Sequence, residues 1–347
     1  MGGDHGPAVT VPGAASAAGA LAGRDVRFLL HGDETRIRAE LARHPKLQPL
    51  AEVRHTDHVI AMDEKPAQAM RRGKGSSMWN AIEAVKTGQA HGAVSAGNTG
   101  ALMAISKLVL RMSAPGLERP AIVASWPTFK GVTAVLDVGA NVESDARQLV
   151  EFAIMGVAFH RAVHKGKNPS VGLLNIGAED MKGHEEVREA QNLLREGGFD
   201  LNYYGFVEGD DIAKGTVDVV VTDGFTGNIA LKTAAGTARF ISGLMKEALT
   251  SSLMSKLGAV LAMGALKTMR RKVDPNAING GPLLGLNGTV VKSHGGATAW
   301  GFSNAIRLTA ELAASDYAAE IARNMQRLTT VEHPAEPAVE TPVETRA

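Results

Sequence analysis

No cysteine occurs among the 347 residues, which removes disulfides, thiolate nucleophiles and cysteine metal sites and is compatible with a reducing compartment. Aromatic residues make up only 4%, too few for base-stacking platforms. The net charge is +1, without the basic concentration that nucleic-acid binding needs. No run of about 18 apolar residues is present, and no basic segment leads into an apolar one at the start. Membrane spanning and a standard secretion signal are therefore not expected, and the body reads as cytoplasmic. Residues 331–347 alternate Pro, Glu, Val and Thr with four glutamates against one arginine, a composition expected to stay disordered. That leaves the body mildly basic, a charge that does not repel an acidic partner or an anionic lipid surface.

Hydrophobic residues amount to 44% and charged ones to 21%, enough to bury a sizeable core. Strand-like and helix-like stretches alternate: helix 8–22, strand 25–31, helix 34–43, strand 52–56, helix 76–86, strand 91–96 and its helix to 112. Strands at 120–126 and 132–138 follow, then helix 145–164, strand 170–176, helix 183–195, strands 201–207 and 217–222, and helix 227–249. Segment 273–303 reads as loop-rich, and a final helix covers 303–327. Repeated alternation with near-continuous apolar strands predicts an α/β sheet covered by helices on both faces.

The organising stretch is 90–103, AHGAVSAGNTGALM, where an apolar strand breaks at Gly97 and restarts as an apolar helix. Glycines let a backbone approach a ligand, and helix-start amides attract anions. Residues 217–231, VDVVVTDGFTGNIAL, repeat the device: Ser95, Gly97, Thr99 and Gly100 align with Thr222, Gly224, Thr226 and Gly227. The pair suggests duplicated architecture around one anion site. Two ordinary turns that need small residues remain the alternative at this point.

Three further turns stand at predicted strand ends, where ligands of open α/β sheets collect: LDVGAN at 136–141, NIGAEDMKG at 175–183 and VVKSHGG at 290–296. Cations near these turns are Lys182, Lys232, Lys292 and His294, with Arg71 and Lys74 in a separate loop. No phosphate-loop, dinucleotide or nucleophile-elbow pattern is present. His160 and His164 sit one helical turn apart without a third ligand, so no metal is expected. Residues 251–272 place Leu253, Leu257 and Leu261 at helical spacing among Lys256, Lys267, Arg270 and Arg271 with no acidic residue. Such a segment suits an anionic membrane interface or, equally, a buried subunit contact.

Taken in order, MGGDHGP, SAGNTGALM, LDVGAN, NIGAEDMKG, TDGFTGNIALK and VVKSHGG resemble the phosphate acyltransferase family of bacterial phospholipid synthesis from residue 1 to about 328. The resemblance implies a three-layer α/β/α fold like that of isocitrate and isopropylmalate dehydrogenases, with internal pseudo-duplication. One domain over 1–330 is expected, with 251–272 protruding. It further implies transfer of a fatty acyl group from acyl carrier protein to inorganic phosphate, without a cofactor, in a homodimer attached peripherally to the membrane. The acyl phosphate would pass to a downstream membrane acyltransferase. On this reading Asn98, Asn228 and Lys182 are catalytic, and Ser95, Gly97, Thr99, Gly100, Thr226, Gly227, Lys292 and His294 bind phosphate. Arg71 and Lys74 are further phosphate or carrier contacts, and Leu253, Leu257, Leu261, Lys267, Arg270 and Arg271 meet membrane or carrier protein.

Two departures stand out. Family members have a strand ending in Asp-Ala just before Met-Gly-Gly-Asp, so the true start is expected upstream of Met1. Gly73 and Gly75 replace the usual Lys and Asp, which weakens that loop as a phosphate site. Rival readings are a phosphotransacetylase using a coenzyme A thioester and a catalytically silent membrane scaffold.

Overall fold

The computed structural model describes residues 2–274 and 276–332, without the side chains of 270–273 and 330–332. The expected tail lies, from residue 333 on, outside the described residues. The chain begins α1 (Pro7–Ala20), β1 (Phe28–Gly32), α2 (Glu34–Leu41), β2 (Ala51–His55), α3 (Pro66–Arg72), α4 (Ser77–Lys86), β3 (Gly92–Ser95) and α5 (Thr99–Leu110). Next come β4 (Ala121–Pro127), β5 (Val132–Leu136), α6 (Ala146–His164), β6 (Ser170–Leu174), α7 (Glu185–Glu196), β7 (Asn202–Val207), α8 (Gly209–Lys214) and β8 (Val219–Val221). The rest is α9 (Gly224–Thr250), α10 (Leu253–Leu261), α11 (Met263–Val273), β9 (Gly281–Leu284), β10 (Thr289–Lys292), α12 (Ala299–Ala313) and α13 (Tyr317–Glu332).

Local chemistry explains the boundaries that were legible. Asp33 accepts from the Arg36 amide to start α2, Ser76 accepts from Trp79 to start α4, and Asp145 with Gln148 forms a capping box on α6. Helix α6 is buried along most of its length, with Phe152 and Phe159 fully enclosed. It packs against β5, β8 and α13 as the centre of the main core. Strand β9 falls in the stretch read as loop-rich, and of β10 only the end at VVKSHGG was read as strand, because each is four residues long and close to glycines. Their pairing with neighbours, rather than their own pattern, makes them strands. The predicted final helix is two, α12 and α13, and α3 and α8 were not foreseen.

Eight strands form one sheet in the order β3-β10-β9-β4-β5-β8-β6-β7. Pairing is parallel for β3 with β10 and for β5, β8, β6 and β7, but antiparallel at β10/β9, β9/β4 and β4/β5. Consequently β3 and β10 run opposite to β5, β8 and β6. A separate parallel pair is formed by β1 and β2. Residues of β1 and β3 line a common cavity of about 1030 Å³, with α1 and α12 residues on its walls and Gly2 at its rim.

Candidate active site

The β3/β10 strand ends form one glycine-rich group, and its polar atoms are largely turned on themselves. The Ser95 hydroxyl accepts from the Gly97 amide at 3.1 Å. Asn98 is the N-cap of α5: its Oδ1 accepts from the Ala101 amide at 3.0 Å. Its Nδ2 donates to the carbonyls of Ala61, Met62 and Glu64 at 3.3, 3.0 and 2.8 Å. A carboxamide so engaged has no donor left for a reacting oxyanion. The two glycines of this turn face the protein's own atoms. A side chain at Gly97 would stand 2.8 Å from the Met78 methyl, and one at Gly100 would stand 2.7 Å from the Pro66 ring. Thr99 stays exposed on the first turn.

Lys292 ends β10 opposite Ser95. Its Nζ donates to the carbonyls of Ala96 and Ser293. Burial lowers its pKa to about 8, against the opposing pull of the Asp4 carboxylate. His294 accepts from the Gly296 amide at 3.2 Å and is held through its own amide by Asn279 at 3.1 Å. Because Lys292 binds its proton less tightly when folded, stability should rise as pH climbs from about 8 to the ordinary lysine range. Denaturant titrations of wild type and Lys292→Met at pH 7.5 and 10 should show this slope, at most about 3 kcal/mol, in the wild type alone.

The second group stands at the ends of β5, β8 and β6. Asp137, wholly buried, follows the last residue of β5 in the strand-to-turn motif LDVGAN. Its carboxylate accepts from the amides of Ile122 at 2.9 Å, Gly139 at 3.3 Å, Ala140 at 3.0 Å and Asn141 at 2.6 Å, and from the Asn141 carboxamide at 3.0 Å. Burial pushes its carboxyl up, and these donors pull the other way. Turn amides that the sequence offered to a bound anion thus hold the chain's own carboxylate. Gly224 and Gly227 let the start of α9 press on this loop, since a side chain there would collide with the Asn141 and Asp137 carbonyls. Asp223 caps α9 by accepting from the Thr226 amide at 2.8 Å.

Asn228, in the first turn of α9, differs from Asn98. Among the described residues its carboxamide makes no hydrogen bond, and it lies against Gly139, which has a φ of +133° and no side chain to cover it. Lys182 is exposed in the loop after β6, with its stem along Gly177 and its carbonyl accepting from the Asn175 carboxamide at 3.0 Å. β6 and β8 are adjacent and parallel, so Lys182 and Asn228 follow neighbouring strands out of the same end of the sheet.

This geometry corrects the expectation of one two-sided site. The look-alike turns do not close on one strand-end site from two sides: β3 and β8 run in opposite directions with four strands between them. Their helices also begin at different points of the repeat, at Thr99 in one and at Gly224, the counterpart of Gly97, in the other. Arg71, at the end of α3, and Lys74, just after it, are exposed on the β3 side, where α3 packs on α5. Leu253, Leu257 and Leu261 lie on α10 at 84%, 56% and 82% exposure, and Lys267 lies on α11. The side chains of Arg270 and Arg271 fall outside the described residues. Asp137 was missed as a determinant, although LDVGAN carried the signal: a lone acidic residue inside an otherwise apolar strand end.

Known proteins agree with the fold and specify the chemistry. A family described as fatty acid synthesis protein matches residues 1–320. A phosphate acyltransferase of Caulobacter vibrioides is 69% identical over 329 residues, covering 95% of this chain and 91% of that one. One from Phenylobacterium zucineum is 63% identical over 337 residues, covering 97% and 95%. The solved phosphotransacetylase of Streptococcus pyogenes shares the fold at a TM-score of 0.53 and 18% identity, over 86% of this chain and 98% of that one. The chain therefore belongs to the phosphate acyltransferase family and is an acyltransferase.

Proposed function

We propose that this protein transfers a fatty acyl group from acyl carrier protein to inorganic phosphate, with the chemistry at the start of α9. The observation that carries the placement is the unengaged carboxamide of Asn228 beside Gly139. A phosphate oxygen attacks the thioester carbonyl, the C–O bond forms, the C–S bond breaks, and the proton of hydrogen phosphate ends on the departing thiol. Asn228 donates to the oxygen on which negative charge develops. Lys182 supplies the cation that a phosphate dianion needs beside its hydrogen-bond donors. Thr226 offers its hydroxyl, and Gly227 keeps the turn tight. A thioester is reactive enough to need no enzyme nucleophile, which fits a chain without cysteine. We assign Ser95, Gly97, Asn98, Thr99, Gly100, Lys292 and His294 to shaping the opposite strand ends, with Thr99 and His294 exposed there for a second anionic group of the carrier. Measuring acyl phosphate formed from carrier-protein and coenzyme A thioesters of one chain length tests the reading. A preference for coenzyme A makes the protein a phosphotransacetylase of the related kind, and no product from either leaves the scaffold reading.

The same proposal includes peripheral attachment to the cytoplasmic membrane surface through α10 and α11, and a homodimer. No helix among the described residues is long and apolar enough to cross a membrane. Helix α10 has no buried residue and packs chiefly on α9 and α11. Its apolar face, with Lys256 beside it and Lys267 on α11, suits the edge of an anionic bilayer. Further back on α9, Phe240, Ile241 and Leu244 are at least half exposed and suit a second copy. Changing Leu257 and Leu261 together to Glu should abolish flotation with anionic vesicles while activity on soluble carrier substrate survives. Loss of the dimer instead would make α10 a subunit contact.

A further inference from the structure

Phe225 and Ile229 stand 60% and 48% exposed on α9, one helical turn apart, and Asn228 lies beside them on the same side of the helix. The flanking loops are equally apolar at their surface. Val142, after β5, is 71% exposed, and Ile176 and Met181, after β6, are 79% and 88% exposed. Strands β5 and β6 lie on either side of β8, so these loops stand on either side of the α9 start. Five apolar side chains thus stand on and beside the helix turn that carries the Asn228 carboxamide. Surfaces of soluble proteins rarely gather exposed apolar groups in this way unless something binds there. Two cations bound the patch: Lys182 on the β6 loop, and Lys232, seven residues beyond Phe225 and so on the same face of the helix.

We propose that Phe225, Ile229 and Met181, with Val142 and Ile176 beside them, seat the acyl chain of the thioester substrate and set the enzyme's preference for long chains. This rests on the assignment of Asn228 as donor to the thioester carbonyl. A carbonyl oxygen held there places the attached methylenes within reach of this apolar surface. Burying them against it gains free energy with every added carbon, while a short acyl group gains almost nothing. The cations match a ligand that is apolar along its length and meets phosphate at its reactive end.

The test compares the full-length protein with Phe225→Ser/Ile229→Ser and with Met181→Ser, on hexadecanoyl and butyryl thioesters of carrier protein. The expected result is a fall of tenfold or more in kcat/KM for hexadecanoyl, with butyryl kept within twofold and Phe225→Leu close to wild type. A fluorescent polyene fatty acid, titrated in parallel, should bind the serine variants at least tenfold more weakly than wild type. That loss supports the seat even if no acyl phosphate forms, in which case the transfer reading falls alone. Equal losses on both thioesters, or unchanged probe binding, overturn the proposal. A shift of sedimentation to monomer with an unaltered chain-length profile also overturns it and makes the patch a contact with a second copy. These side chains are exposed, so the variants should fold, and circular dichroism confirms it.

Discussion

Asn228→Ala should lower turnover by about a hundred- to a thousandfold, the equivalent of the roughly 2.7–4 kcal/mol lost when one preorganised donor is removed. Stability should change little, because the side chain has no hydrogen bond to lose. Asn98→Ala should do the reverse. It removes the cap of α5 and strands the carbonyls of Ala61, Met62 and Glu64 without their shared donor. A loss of about 2–4 kcal/mol in urea denaturation is expected, from the cap and the unsatisfied groups together. Turnover at saturating acyl carrier substrate, measured below the unfolding range, separates the two. Near-normal turnover of Asn228→Ala removes it from the chemistry, and a slow but stable Asn98→Ala restores Asn98 to it.

Asp137→Ala should be the most damaging single change in the site's framework. The carboxylate is the common acceptor for Ile122, Gly139, Ala140 and Asn141, so its removal leaves several buried donors unpaired at about 1–3 kcal/mol each. We expect a loss of about 3–5 kcal/mol, read as a lower denaturation midpoint, together with loss of activity. Asp137→Asn keeps the shape but turns an amide group towards N–H donors, and should fall between alanine and wild type. The loss of function follows from geometry: the Asp137 loop supports Gly224 and Gly227, and those glycines set the angle at which Asn228 leaves the helix start. Wild-type stability in Asp137→Ala would mean that water replaces the carboxylate, and the loop would then not be the support of the site.

Much of the fold was legible because its signals are local. Apolar runs such as 132–136 and 219–221 report buried strands, and Ser76, Asp33 and Asp145 announce helices through the hydrogen bonds their side chains make. Strand β9 was not legible, and β10 only at its VVK end, since four residues close to glycines acquire strand geometry only from the neighbours they pair with. The predicted single helix at 303–327 divides near Ala314 for a similar reason. Its apolar spacing continues through the break while the packing surface changes.

Read alone, the residues show strands alternating with helices, six glycine-marked motifs in the order found in phosphate acyltransferases, and no cysteine in the 347 residues. They also contain the repeat of Ser95–Gly100 at Thr222–Gly227, because residue types report local backbone demands. What the repeat means is visible in the fold alone. Strand direction reverses between β10 and β5, so two similar turns leave the sheet at opposite ends. Their glycines prove to be points where the chain touches itself. Of two asparagines that a sequence cannot tell apart, Asn98 is consumed by three carbonyls brought from the segment before α3, and Asn228 is left facing an open loop. Which donor is free depends on contacts between residues distant in the chain, and those exist only once it has folded.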